Sequence, residues 1–343
     1  MLAMTVIAAC DKNGSPEPEG ATNGRVECRF SLGGSAEVSY ETRSVGLESG
    51  TLSLADEKKV NTLTVFIFSR DGKIADTGSA DGNMVKINLK ADSGYDFFAV
   101  ANAGTDWSSS VTSANELKEI TSSALSGEDA LCNFVMTGSL LSETVDRDHC
   151  TFTIDVTRRA AKVVVRKITN SLNEAAGDIS LEGIYLSNVI TNCNLFGTAL
   201  PETPAWANKF GAWADVPLQR AWFGDALTEG PVRIANGKSY ETAHTFYAAA
   251  NPIETDCSGE KEFTPRKTRL VIKAEIQGDD YYYPLTFNTD RLPALEAGKC
   301  IDIENIDIRH LGSSSPESPV STVDVSFEVR VLDWDRMDAP VEI

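Results

Sequence analysis

The chain has 343 residues, with 31 Lys and Arg against 50 Asp and Glu, so its formal net charge is −19. This acidity argues against functions that depend on neutralising phosphates, such as binding to nucleic acid, and disfavours docking on anionic membranes, because those functions need clustered Lys and Arg. Hydrophobic residues make up 42% of the sequence and charged residues 24%, which is typical of a chain that buries cores and is long enough for two domains.

The first ten residues have the character of an export signal. Residues 2–9 are uncharged and mostly apolar, and the small side chains of Ala8 and Ala9 precede Cys10. This pattern is typical of a bacterial lipoprotein signal at residues 1–9, which predicts lipidation of Cys10 by acyl chains such as palmitate. A stray apolar start with a chance cysteine is the alternative. The polar residues 11–24, which contain Pro and Gly, predict a tether between a lipid anchor and a folded body.

Alternation of apolar and polar residues with a period of two dominates the rest of the chain. It predicts strands at residues 25–40, 60–68, 84–89, 95–101, 150–156, 161–168, 179–189, 269–276, 281–287, 300–308 and 323–331. Turn residues at 70–72 and 277–280 predict hairpins. Residues 113–121 predict one short helix, and residues 196–240 a long irregular excursion.

Many short strands and little helix predict an all-β fold of two tandem β-sandwich domains, Greek-key and transthyretin-like, with few short helices. A new strong strand begins after Thr157. We therefore expect a domain boundary there, since each half then carries enough strands for one sandwich.

No established catalytic or cofactor motif is present. The sequence lacks a Walker A loop, a dinucleotide glycine fingerprint, an HExxH motif, a GxSxG motif and a calcium-binding loop. Its three histidines, His149, His244 and His310, lie far apart in sequence. We therefore predict no enzyme activity, no metal and no cofactor. The alternating acidic residues of strand 300–308, Asp302 among them, are expected to form its solvated face.

Tryptophans in the irregular stretch support two interpretations. Trp206, Trp213 and Trp222 are a candidate stacking platform for a glycan. Alternatively, they are buried anchors that pin a long loop onto the sandwich, because such loops need buried side chains to be ordered.

Two further segments have unusual patterns. Residues 41–46 have the composition of an exposed loop and contain a lone arginine, Arg43, which is a suitable target for a trypsin-like protease. Near the C terminus, a linker with Ser and Pro leads into an amphipathic strand. Its apolar residues are Val323, Val325, Phe327, Val329 and Val331, followed by Trp334. Either this strand closes its own sandwich, or it leaves and adds to the sheet of another subunit.

In their order and spacing these segments resemble the fimbrillin family, the major and accessory fimbrial subunits of Bacteroidales (type V pilins). The resemblance spans nearly the whole chain. The matching segments are Cys10 with its preceding small residues, ETRSVG at 41–46, KVNTLTVFIF at 59–68, FAVANAG at 98–104, MTG at 136–138, RAAKV at 159–163, and SPESPV at 315–320 leading to VLDW at 331–334.

The resemblance implies export as an outer-membrane lipoprotein, followed by a cut between Arg43 and Ser44 by an arginine-specific protease. It divides the chain into a signal at 1–9, a tether and propeptide strand at 10–43, an N-terminal sandwich at 44–157 and a C-terminal sandwich at 158–343 that ends in a donor strand. Loss of the propeptide strand is expected to open a groove that the C-terminal strand of a neighbouring subunit fills. The implied function is a structural subunit of a cell-surface fimbria, for adhesion and biofilm formation.

The implied partners are copies of this chain, other fimbrial subunits, the processing protease and an unidentified receptor on a host or bacterial surface. Arg43 together with a complete C-terminal strand favours a polymerising stalk subunit over an anchor or tip subunit. The alternative outside this family is a monomeric glycan-binding outer-membrane lipoprotein that uses the tryptophan platform.

Overall fold

The computed structural model describes residues 24–34, 54–91, 93–125, 133–209, 224–225, 227, 230–257, 265–318, 320 and 325–334. These residues form many strands and two short helices, α1 (Leu54–Glu57) and α2 (Ala114–Glu119), which confirms the predicted all-β fold. The strands are β1 (Arg25–Gly34), β2 (Thr62–Ser69), β3 (Ile74–Asp81), β4 (Met84–Lys90), β5 (Ser93–Ala101), β6 (Thr121–Ser123), β7 (Met136–Val145), β8 (Thr151–Arg158), β9 (Ala160–Val165), β10 (Ile168–Asn170), β11 (Ile179–Ser187), β12 (Val189–Ile190), β13 (Asn192–Asn194), β14 (Trp206–Ala207), β15 (Gly224–Asp225), β16 (Val232–Ile234), β17 (Ser239–Tyr240), β18 (His244–Ala249), β19 (Arg269–Ile276), β20 (Asp279–Thr286), β21 (Lys299–Ile308) and β22 (Val325–Asp333). Neither of the two helices is long and apolar enough to cross a membrane.

The N-terminal part is a sheet in the order β3-β2-β5-β7-β8-β1-β4. β7 and β8 pair only at residues 136–137 and 157–158, so the sheet divides there into two halves. Apolar side chains from both halves share one buried cluster, and the rings of Phe30 in β1 and Phe97 in β5 lie 4.8 Å apart across it. The two halves therefore pack face to face as a sandwich.

The C-terminal part is a second sandwich. One sheet has the order β17-β10-β21-β9-β18, with β22 on the other side of β21, and the second has the order β15-β11-β19-β20, with β16 against β11. Their inner faces share a buried cluster that includes Val163, Ile184, Ile272 and Ile303. β8 ends at Arg158 and β9 begins two residues later; the domain boundary after Thr157 stays a prediction.

Local sequence signals explain the predicted turn and helix. Ser113 caps α2, because its Oγ accepts from Glu116 N (3.3 Å) and the Glu116 carboxylate accepts from Ser113 N (3.2 Å). Gln277 and Gly278 both have positive φ (55° and 91°), as a two-residue hairpin turn between β19 and β20 requires.

The prediction that Asp302 belongs to a solvated face is wrong. Its side chain is fully buried in β21, where Arg166 donates two hydrogen bonds to it (2.7 and 3.1 Å) and Arg330 of β22 donates a third (2.8 Å). A buried carboxylate is tolerated when it is paired in this way. Alternation alone could not reveal that β22 lies beside this strand.

Gly138 in β7 lies where the two halves of the N-terminal sheet join. A Cβ atom at this position would collide with the backbone carbonyl of Asp155 in β8. We expect Gly138→Ala to lower the free energy of unfolding by about 2–3 kcal/mol, because the obstacle is backbone that cannot move aside. Urea unfolding measures this loss.

Gly78→Ala is the matched control for this prediction. Its new Cβ would meet the Cδ1 and Cγ1 atoms of Ile87 at 2.7 Å and Cγ2 of Val85 at 3.2 Å, which are side-chain atoms and not backbone. We expect a smaller loss of stability than at Gly138, and equal losses would contradict the proposed close approach of β7 to β8.

Candidate functional site

The structure describes only part of the sequence-predicted site. The residues outside the described ranges are Cys10, Arg43, Ser44, Trp213, Trp222 and Val323. The described part contains the strand that precedes Arg43 (β1), the C-terminal strand with Trp334, and Trp206. These elements belong to different parts of the fold, so each is considered in turn.

β1 is an interior strand of the N-terminal sheet. It pairs antiparallel with β4, from Arg25↔Lys90 to Ser31↔Met84, and parallel with β8, from Arg29↔Thr151 to Gly34↔Val156. β4 is the end strand of this sheet and β8 lies on the opposite side of β1. If β1 were removed, β4 and β8 would face each other across a slot one strand wide, with unpaired backbone groups on both walls.

Three alternate side chains of β1 point into the core of the sandwich. Cys28, Phe30 and Leu32 are buried, and the Phe30 ring lies 4.8 Å from Phe97 and 5.4 Å from Phe152. Burial raises the pKa of the Cys28 thiol to about 11, with a smaller contribution from Cys150. At about 1.5–3 kcal/mol per buried apolar side chain, these three residues contribute roughly 5–9 kcal/mol before ordering costs.

The end of β1 has no room for side chains. Gly34 has φ +65°, and a Cβ atom there would lie 2.9 Å from the carbonyl oxygen of Val156. A Cβ atom at Gly33 would lie 2.5 Å from Oδ1 of Asp155. Two glycines therefore let the chain leave the sheet close to the backbone of β8.

β22 is an edge strand of the C-terminal sandwich. It pairs antiparallel with β21 along its whole length, from Val325↔Ile308 to Asp333↔Lys299. Burial falls along its predicted apolar face: Val325 is fully buried, Phe327 and Val329 are half-buried against the core, and Val331 is 52% exposed. In the isolated subunit this strand thus closes its own sandwich, but it does so at an edge.

Trp334 follows β22 and is fully buried. Its Nε1 donates a hydrogen bond to Oε2 of Glu57 in α1 (2.6 Å). The alternating apolar pattern predicts Trp334 at the end of the C-terminal strand but does not indicate Glu57, because no local pattern connects residues so far apart.

Trp206 is half-buried in β14. It packs against a cluster that includes Ile190 and Tyr247, and Lys209 Nζ lies 4.6 Å from the centre of its ring. The glycan platform stays a prediction, since the other two tryptophans lie outside the described residues. In the described part of the chain, no three His, Cys, Asp or Glu side chains are grouped to hold a metal ion.

The buried strand β1 and the C-terminal strand have the same residue pattern. Residues 26–32 read VECRFSL and residues 323–329 read VDVSFEV, so both have Val, an acidic residue, an apolar residue, a polar residue, Phe, a polar residue and an aliphatic residue. The alternation within each segment does not reveal this match, but a direct comparison of the two segments does. Within this pattern, the positions of Cys28, Phe30 and Leu32 are buried in β1.

A family profile described as "Major fimbrial subunit protein (FimA)" matches residues 30–180. No curated protein matches the chain by sequence. Similar solved structures include a fimbrilin from Porphyromonas gingivalis (16% identity, TM-score 0.59, covering 92% of this chain and 98% of that one). Two proposed cell adhesion proteins are also similar, from Bacteroides eggerthii (17%, TM-score 0.61, 92% and 97%) and Parabacteroides distasonis (14%, TM-score 0.58, 91% and 97%).

The predicted resemblance to Bacteroidales fimbrial subunits is therefore confirmed. The profile covers the N-terminal sandwich from within β1 to the start of β11, and the solved structures share the fold of almost the whole chain. The profile thus relates the N-terminal sandwich to major fimbrial subunits, and the chain shares the fold of fimbrial and cell adhesion proteins.

The aromatic pocket around Phe30 should be a major source of stability in the intact chain. We expect Phe30→Ala to lower the free energy of unfolding by about 3–5 kcal/mol, because it removes a fully buried ring between two others. Phe327→Ala, at the half-buried edge strand, should cost less than half as much. Thermal or urea unfolding of the uncleaved chain measures both, and similar losses would mean that β1 is not the better-packed strand.

Proposed function

We propose that this relative of the fimbrial subunits is a polymerising stalk subunit of a fimbria that serves adhesion and biofilm formation. The chain is exported as an outer-membrane lipoprotein lipidated at Cys10, and an arginine-specific protease cuts between Arg43 and Ser44. β1 then leaves with the propeptide 10–43, and the C-terminal strand of another copy enters the slot between β4 and β8. Its partners are copies of itself, other fimbrial subunits, the protease and an unidentified surface receptor.

One observation carries this proposal: the strand before the cleavage site is interior, and its residue pattern recurs in the C-terminal strand. In the matching register, Phe327 takes the pocket of Phe30 between Phe97 and Phe152. Val325 takes the place of Cys28 and Val329 that of Leu32. The spacing of two residues keeps all three on the same face of the strand.

The glycines at the end of β1 limit this match. Arg330 and Val331 would fall at the positions of Gly33 and Gly34. A Cβ atom at Gly33 would meet the side chains of Asp155 and Thr153, and one at Gly34 would meet the backbone carbonyl of Val156 in a residue with positive φ. We therefore expect the paired part of the donor strand to end at Val329, with the following residues leaving the slot.

The covalent link through residues 35–53 explains why the intact chain would not exchange strands. While β1 is connected to its own sandwich, its effective concentration at the slot exceeds that of any second copy. The cut removes this advantage. The donor strand then gains buried apolar area, because Phe327 and Val329 are half-buried at the edge of β22 but would be enclosed in the slot. It would also have backbone hydrogen-bonding partners on both sides.

The donor strand and the slot are different surfaces of the same chain. A contact between two different surfaces is heterologous, so each added subunit presents a new free surface. Such contacts build filaments instead of closed rings, which fits a fimbrial stalk.

Cleavage and assembly can be tested on the purified 11–343 form. After treatment with an arginine-specific protease, we expect a new N terminus at Ser44 and a ladder of multimers on denaturing gels run without boiling. Arg43→Lys is the matched control, since it keeps the positive charge but removes the arginine, and it should give neither the new terminus nor the ladder.

Other outcomes of this experiment distinguish the remaining roles. A clean cut at Ser44 without multimers would contradict the stalk subunit and favour a tip or accessory subunit. No cut at Arg43 would favour an anchor subunit or the glycan-binding lipoprotein.

The register of the donor strand makes a second prediction. Phe327→Ala should weaken the multimers, so that their ladder dissociates at a lower temperature, because the Phe30 pocket would be left unfilled. Leu311→Ala, which truncates an exposed apolar side chain outside the strand, should leave the ladder unchanged. Equal heat stability of the Phe327→Ala and wild-type ladders would show that the proposed register is wrong.

A further inference from the structure

The carboxylate of Glu57, at the end of α1, is fully buried and accepts three side-chain hydrogen bonds. Lys162 Nζ (2.7 Å) and the Tyr247 hydroxyl (2.6 Å) donate to Oε1, and Trp334 Nε1 (2.6 Å) donates to Oε2. Lys162 belongs to β9, Tyr247 to β18, and Trp334 directly follows β22. We call these four residues the Glu57 cluster.

Ring contacts also hold Trp334 in the Glu57 cluster. Its indole stacks on the Tyr247 ring (centroids 5.5 Å apart), meets Phe134 edge-on (5.1 Å) and lies 4.7 Å from the Arg158 guanidinium carbon. The same Arg158 donates from Nε to the backbone carbonyl of Glu57 (2.9 Å). The C-terminal end of β22 is thereby fixed to α1.

The other side-chain anchors at this end of β22 are more exposed, and they include the ion pairs Lys299–Asp333 and Arg330–Glu304. Val331 is 52% exposed, and Leu332 is half-buried. Arg330 donates to the buried Asp302, but its own side chain is 46% exposed. Beyond the backbone ladder to β21, Trp334 is thus the fully buried side chain that holds this end of the strand in place.

We propose that the Glu57 cluster is a latch that retains the C-terminal strand on its own subunit and so restrains strand exchange; this inference rests on the proposed function. If the strand left, Trp334 would be withdrawn, and the Glu57 carboxylate would lose one of its three side-chain donors. Loss of a hydrogen bond to a buried charge is costly, because the desolvation of that charge is then less fully compensated. The latch therefore raises the cost of releasing the donor strand.

The position of Glu57 in the chain connects this latch to processing. Glu57 lies 14 residues after Arg43, in a helix of four residues. So short a helix is not stable by itself, and its position depends on its packing contacts and on the chain that leads into it. A cut at Arg43 frees that chain on its N-terminal side. The cut would thus act both on the slot and on the latch.

Hydrogen–deuterium exchange of residues 325–334 in the uncleaved 11–343 form measures how often the strand opens. Trp334→Phe keeps an aromatic ring but removes the Nε1 donor. Tyr247→Phe is the matched control, because it removes a donor from the same carboxylate but keeps the ring on which Trp334 stacks. We expect exchange about tenfold faster in Trp334→Phe and within about twofold of wild type in Tyr247→Phe, with exchange of β1 unchanged in both.

A double variant separates the latch from simple loss of packing. Glu57→Gln should also accelerate exchange of residues 325–334, because a neutral amide oxygen is a weaker acceptor than a carboxylate. The combination with Trp334→Phe should exceed the larger single effect by less than about twofold, since both changes act on the same hydrogen bond. The latch would be overturned if the accelerations by Glu57→Gln and Trp334→Phe multiplied fully in the double variant. It would also be overturned if Trp334→Phe and Tyr247→Phe accelerated exchange equally, and the cluster would then be a purely structural contact.

Assembly provides a separate readout. After protease treatment, Trp334→Phe should form multimers faster than wild type if the latch restrains strand release, and equal rates would argue against the restraint. If the wild-type chain is cut but never forms multimers, the proposed function fails. The exchange rates of the uncleaved chain still decide whether the latch exists.

Discussion

The two-sided pairing of β1 is the constraint on which the rest of the N-terminal sandwich depends. β4 at the end of the sheet and β8 on the other side both use β1 as a hydrogen-bonding partner, and Phe30 fills the space between Phe97 and Phe152. A vacancy at this position would cost backbone hydrogen bonds and apolar contacts together. The sandwich is therefore complete only with a strand in this place, whichever chain supplies it.

Much of the fold was predictable because period-two alternation is strong where one face of a strand is buried. The bounds predicted for β19 are those observed, and the 277–280 turn lies where Gln277 and Gly278 adopt positive φ. β3 escaped prediction because its sequence, IADTGSAD, has few apolar residues and mostly half-exposed positions. The predicted strand 161–168 is interrupted between β9 and β10, although both segments pair with β21.

The candidate site was predictable only in its local parts. A lone arginine in a polar loop and an amphipathic C-terminal strand can be read from neighbouring residues. The burial of Asp302 depends on the neighbouring strand β22, and the hydrogen bond between Glu57 and Trp334 joins α1 to the end of β22, 277 residues apart in sequence. Single-sequence patterns contain no information on such partners, so the interior place of β1 and the Glu57 cluster needed the three-dimensional structure.

The direction of β1 has a consequence for the filament as a whole. β1 runs parallel to β8 and antiparallel to β4, so a replacement strand in the same register must enter with the same orientation. Under the proposed assembly, every joint then repeats one direction, and the two ends of the fimbria differ chemically. One end presents an unfilled slot and the other an unused C-terminal strand. Under the proposed assembly, the two ends would therefore bind different partners, one through the slot and the other through the strand.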